Sequence, residues 1–145
     1  MSLINERRHQ LDLASLHREC ERNYGRIRRL VESCQQLDAQ YSIPCYQRSV
    51  AQLRVIEVTK FTSTLSIVLE KAGPEWLPNI ALKVRVYRDA RMAEVIEWCS
   101  DRTIPWALVE KKGLQSRDEK WQWNLFFSEL LVQALSLRAL EAQSG

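Results

Sequence analysis

The chain has 145 residues, 46% of them hydrophobic and 27% charged, which suits one folded domain and argues against global disorder. Its net charge of +3, from 21 Lys and Arg against 18 Asp and Glu, permits an acidic partner without demanding one. No apolar run reaches the roughly 18 residues of a membrane-spanning helix, and MSLINERRHQ carries no apolar stretch of signal-peptide length, so a cytoplasmic protein is expected.

The first predicted element is a long helix. From Leu13 the apolar residues Leu13, Leu16, Cys20, Tyr24, Ile27, Val31 and Cys34 recur in steps of three and four, one stripe of an amphipathic helix. Asp12 is the expected N-cap, and Gly25 inside the stripe marks a kink or a close contact. The pattern stops near Leu37, and Pro44 forbids helix around it. The first ~10 residues are expected to lie outside the packed body.

Four strands follow. Val50–Val58 and Ser63–Glu70 flank TKFT, and Ile80–Arg88 and Arg91–Trp98 flank Asp89-Ala90, with KAGPEWLPN between the two hairpins. Links this short favour an antiparallel meander, since parallel strands need crossovers. A two-residue loop at Asp89-Ala90 sets Arg85 opposite Glu94 and Val84 opposite Val95. In the first hairpin a three-residue loop, Lys60 to Thr62, puts Leu53, Val55 and Glu57 on the face of Leu65, Ile67 and Leu69. Glu57 then ends a core row as a partly buried carboxylate.

After an irregular segment with Pro105 and Trp106, Ser116 and Glu119 form a capping box at the mouth of the last helix. From Trp121 to Leu140 that helix is apolar around most of its circumference, so the sheet together with the first helix or a second subunit must cover it. Leu131, Leu135 and Leu137 point in different directions, which suggests a homodimer. The fold class is α+β: a long N-terminal helix, a four-stranded antiparallel meander and a mostly buried C-terminal helix, one domain over residues 1–145.

Chemistry-bearing patterns are few. Cys20, Cys34, Cys45 and Cys99 show no metal-ligand spacing, and His9 and His17 are the only histidines, so no metal or cofactor is implied. Cys20 and Cys34 lie roughly 21 Å apart along one helix, too far to bridge, and reduced thiols are expected. No Gly-rich phosphate loop and no nucleophile triad is present.

Several stretches together resemble the YqiB-like family of bacterial proteins, a domain of unknown function found mainly in proteobacteria. The matching pieces are CERNY with RRL behind it, EVTKFT, RVYRDARMAEV and RDEKWQWN with Phe126 following, in family order from about residue 16 to 132. The resemblance brings no established activity. Family members often lie beside genes for an ADP-ribose pyrophosphatase and a cyclic-AMP phosphodiesterase, which implies a link to nucleotide metabolism or signalling.

Two sets of candidate site residues come from the pattern. Glu57, Arg85, Tyr87, Lys120 and Asn124 interrupt apolar rows at strand ends and at a helix start, where a cleft for a small anionic ligand can open. Arg85 and Glu94 can equally be a plain cross-strand ion pair, and Lys120, Gln122 and Asn124 can equally bond backbone at the edge of the core. Arg18, Arg22, Arg26 and Arg29 form one basic helix edge, either a solvated face or a weak nucleic-acid contact with only Tyr24 near for stacking. The expected role is a non-enzymatic binding or regulatory protein for a small anion or a protein partner. The alternatives are an enzyme or sensor acting on a nucleotide or phosphorylated metabolite, and a nucleic-acid binder.

Overall fold

The computed structural model describes residues 2–45, 50–69, 80–100 and 116–144, with side chains described over 13–45, 50–69, 80–99 and 119–143. The expected loop KAGPEWLPN, the segment with Pro105 and Trp106, and the Ser116 side of the capping box lie outside these residues. Helix α1 (Ser2–Leu30) is followed by strands β1 (Gln40–Pro44), β2 (Val50–Val58), β3 (Thr62–Leu69), β4 (Ile80–Tyr87) and β5 (Met92–Ser100), then helix α2 (Ser116–Ser144). The strands form one antiparallel sheet in the order β1-β2-β3-β4-β5.

The α+β class and the meander hold, with five strands instead of four. The added strand is QYSIP, which buries only Ile43 fully and is too short to show alternation. Pro44 is tolerated there because β1 is an edge strand and its last residue has no ladder donor to lose. Helix α1 starts at Ser2, so Asp12 sits inside it and is not its cap. It ends at Leu30, where the Arg138 guanidinium donates to the Leu30 carbonyl at 2.6 Å and closes the helix C-terminus from α2.

One face of the sheet is the core. Ala51, Leu53 and Val55 of β2, Leu65, Ile67 and Leu69 of β3, Leu82, Val84 and Val86 of β4, and Ala93 and Val95 of β5 are all buried. Helix α2 touches both edge strands, β5 and β1, and lays Trp123, Phe127, Leu130, Leu131 and Ala134 against that face, while α1 packs on α2 and β5. Of the three leucines that point in different directions, Leu131 is buried within one chain, while Leu135 and Leu137 are half-buried. Among the described residues, the large apolar side chains of α2 that stand exposed are Leu125, Val132 and Leu140.

Register follows the expected pairing around Asp89-Ala90: Tyr87 faces Met92, Arg85 faces Glu94 and Val84 faces Val95. Asp89 acts as a turn former, its carboxylate accepting the Ala90 amide at 2.9 Å. Two β-bulges change the rest. Beyond Val84 the partner of Lys83 is Glu97, which places Trp98 opposite core-facing Leu82 and stacks it on Trp123 with ring centroids 6.3 Å apart.

In the first hairpin Val58 pairs with Ser63, and a shift between Val55 and Glu57 sets Val55 opposite Leu65 and Glu57 opposite Thr64. The apolar rows share a face as expected, but the extra residue turns Glu57 outward. It is exposed, not a partly buried core carboxylate.

Candidate functional site

Four of the five expected site residues gather where β4, β5 and the start of α2 meet. Glu94 is the hub. It accepts from the Tyr87 hydroxyl at 2.7 Å and pairs with the Lys120 ammonium at 3.2 Å, so the ion pair of Glu94 is made with Lys120 and not with Arg85, its neighbour in register. Burial, reinforced by the Glu94 carboxylate, pushes the Tyr87 phenol above its ordinary range against the opposing pull of Arg85. Glu57 stands apart. The Thr64 hydroxyl bonds it at 3.3 Å, and Thr64 pairs in register with Arg85, a link toward the group through one intervening residue.

Asn124 is fully buried and committed. Its Oδ1 accepts the Val95 amide of edge strand β5 at 2.9 Å and lies 4.0 Å from the Cys20 thiol, while Nδ2 donates to the Lys120 carbonyl at 2.8 Å. A helix thus covers and satisfies a strand edge. Nearby, Trp98 donates its indole N–H to Glu119 at 2.8 Å, so the carboxylate read as half of a capping box braces β5. In this cluster the polar interruptions of the last helix serve one another.

The basic edge of α1 is broken in the same manner. Arg26 and Arg22 pair with Glu19 at 2.7 and 3.1 Å, and Arg26 also donates to Asn23, whose Nδ2 donates to Ser128 of α2. Burial raises the Glu19 pKa, yet hydrogen bonds from Arg26, Ser128 and Arg22 outweigh it and hold the carboxyl below its usual value. Arg18 and Arg29 remain exposed. The four arginines therefore do not present one continuous cationic strip.

An open cleft of ≈ 390 Å³ lies elsewhere, between the C-terminal half of α1 and the end of β4. Its lining includes Tyr24, Arg28, Cys34 and Arg88, with one carboxylate, Glu32, also among the lining residues. Arg88 is fixed by backbone. Its two terminal nitrogens donate to Thr62 O, Ser63 Oγ, Thr59 O and Lys60 O at 2.5–2.8 Å, leaving Nε–H and an undiminished positive charge. Arg28 stands over the Tyr24 ring, 5.8 Å from its centroid.

Among the described residues, neither Arg28 nor Arg88 has a carboxylate within ion-pair distance. Both act on the Cys34 thiol: burial lifts it to about 11, and the two guanidiniums pull the other way. Sequence reasoning passed over this pair because a single arginine at a helix end or in a turn reads as a solvated charge. The available signal was that both fall inside the family-like strings, RRL and RVYRDARMAEV. No three His, Cys, Asp or Glu side chains among the described residues group to hold a metal ion.

Residues 26–139 match the family model described as "Protein of unknown function (DUF1249)", and the chain belongs to that family. It is 31% identical over 140 residues to "Uncharacterized protein YqiB" of Escherichia coli strain K12, covering 92% of this chain and 96% of that protein. The YqiB proteins of strains CFT073 and O157:H7 match to the same extent. No solved structure matches. Membership bears out the resemblance read from CERNY, EVTKFT, RVYRDARMAEV and RDEKWQWN.

Proposed function

Within that family we propose that this chain is a cytoplasmic, non-catalytic binding protein that takes a small anionic ligand, phosphate-bearing or carboxylate-bearing, in the cleft of Tyr24, Arg28 and Arg88. The observation that carries the reading is the pair of guanidiniums facing one cleft, neither of which, among the described residues, has a carboxylate within ion-pair distance even though Glu32 also lines the cleft. A partly buried cation held by three neutral carbonyls and a hydroxyl leaves charge to be matched, and an anion matches it. Roles divide between the two. Arg88, locked by four bonds, supplies a fixed positive field; Arg28, stacked on Tyr24 and without a hydrogen-bond acceptor among the described residues, closes on the anion in two parallel N–H···O bonds.

The Glu57, Arg85, Tyr87, Lys120 and Asn124 set is less suited to that task, because Lys120 is matched by Glu94 and Asn124 is spent on Val95. A thermal-shift screen with inorganic phosphate, sugar phosphates, nucleotides and dicarboxylates at 1 mM tests the proposal. A ligand with Kd near 10 μM stabilises the fold by about 2.7 kcal/mol, and Arg28→Ala weakens it about tenfold or more. A flat screen, or a ligand indifferent to Arg28→Ala, overturns it.

A further inference from the structure

The cleft has a neighbour. A second hollow of ≈ 490 Å³, lined by Glu21, Tyr24, Gly25, Arg28, Ala90 and Arg91, shares Tyr24 and Arg28 with the first, so the two are lobes on either side of one Tyr–Arg stack. Resting on the anion-binding reading of the first lobe, we propose that the ligand is a nucleoside monophosphate, with its phosphate between Arg28 and Arg88 and its base in the second lobe over Gly25.

Gly25 is the most telling residue. A glycine inside a helix is unfavourable, and close packing against the missing side chain is the common structural reason for one. That reason does not apply here, because a Cβ added at Gly25 would have no heavy atom within 4 Å. Gly25 and Ala90 both line the hollow and are small and exposed, and Tyr24 lines it beside them, so a flat ring laid there meets no bulky side chain at those two positions. Arg28 is shared with the first lobe, so the charges peculiar to the second are one carboxylate, Glu21, and one guanidinium, Arg91, which together give a second phosphate no net attraction. Glu21 would repel an anion but can accept from a ring N–H or an amino group, and Arg91 can donate to ring acceptors or stack on the base. Arg91 also holds a φ of 56° in the turn after β4, a conformation better suited to glycine, so a residue with a long cation stands where backbone geometry alone would choose none.

Two substitutions separate ligand binding from folding, because local physics expects each to leave the fold as stable or more so. Gly25→Leu replaces the glycine with a good helix former in open space and puts a bulky side chain in the hollow. Arg91→Gly relieves the positive φ and removes the guanidinium. Titration calorimetry compares the four nucleoside 5′-monophosphates with ribose 5-phosphate, which carries the phosphate and sugar but no base.

At least one nucleotide is expected to bind about tenfold more tightly than ribose 5-phosphate, the margin of one stacked base. Gly25→Leu should erase that margin without lowering the melting temperature or changing ribose 5-phosphate binding, and Arg91→Gly should reduce it several-fold. Equal affinities for nucleotides and ribose 5-phosphate, with both lost in Arg28→Ala, overturn the base lobe and leave the anion site standing. A nucleotide preference that survives Gly25→Leu also overturns the base lobe. Absence of binding by every phosphate compound overturns the nucleotide proposal, and overturns the anion site as well when the dicarboxylates of the thermal-shift screen also fail to bind.

Discussion

Replacing Asn124 by alanine should be among the most damaging changes of a single polar residue in this chain. The side chain is fully buried, and its Oδ1 is the acceptor for the Val95 amide at 2.9 Å. Alanine leaves that amide in the apolar junction of β5, α1 and α2 with no partner and too little room for water to reach it freely. An unsatisfied buried donor costs about 1–3 kcal/mol, and the small void left by the truncated side chain adds to it. The lost Nδ2 bond to the Lys120 carbonyl adds little, since that carbonyl lies in the helix ladder. The expected total is about 2–3 kcal/mol, or about 5–10 °C in melting temperature for a chain of this length.

Urea unfolding should show the loss as a lower midpoint with an unchanged slope, because the surface exposed on unfolding is nearly the same. Amide exchange should show Val95 losing protection before its neighbours on β5. A loss below about 0.5 kcal/mol with Val95 still protected would mean that Asn124 is not what satisfies this edge.

Iodoacetamide at pH 8 should label exposed Cys99 first; burial holds the Cys20 and Cys34 thiols up to about 12 and about 11, so early labelling of either contradicts the packing. A double-mutant cycle should find coupling of about 0.2–1 kcal/mol between Lys120 and Glu94 and none between Arg85 and Glu94; the reverse pattern would restore the cross-strand pair. The Glu19 carboxyl is held below 4.5, so its stabilisation is present above the unfolded value and is lost as pH falls through the folded one. Glu19→Gln should therefore flatten the acid limb of the stability curve below about pH 4.5, and an unchanged limb would show that Arg22 and Arg26 do not hold Glu19.

What the sequence disclosed follows the range of its signals. Period-two rows in Val50–Val58 and Ile80–Tyr87, each beside a short turn, made the hairpins visible, and the tight Asp89-Ala90 loop fixed the pairing of Arg85 with Glu94. The bulges at β2 and β5 were not legible, since one extra residue leaves composition unchanged while reversing the side on which Glu57 and Trp98 point. Lys120 and Asn124 were recognisable as polar breaks in an apolar helix. Their partners, Glu94 and the Val95 amide, depend on how α2 crosses the edge of β5, a tertiary fact without a local pattern. Arg28 and Arg88 lie 60 positions apart and gain significance only where α1 ends against β4.

The anion cleft itself is tested most directly by following the ¹⁵N–¹H spectrum of the protein while titrating inorganic phosphate, a dicarboxylate and a nucleoside 5′-monophosphate in turn. The account predicts that the amides of 24–35 and 86–91, with the Arg28 and Arg88 side-chain Nε–H signals, shift and saturate together, and that Arg28→Ala abolishes the response. Shifts centred instead on Arg85, Tyr87 and Lys120, or a spectrum that does not move, would contradict it.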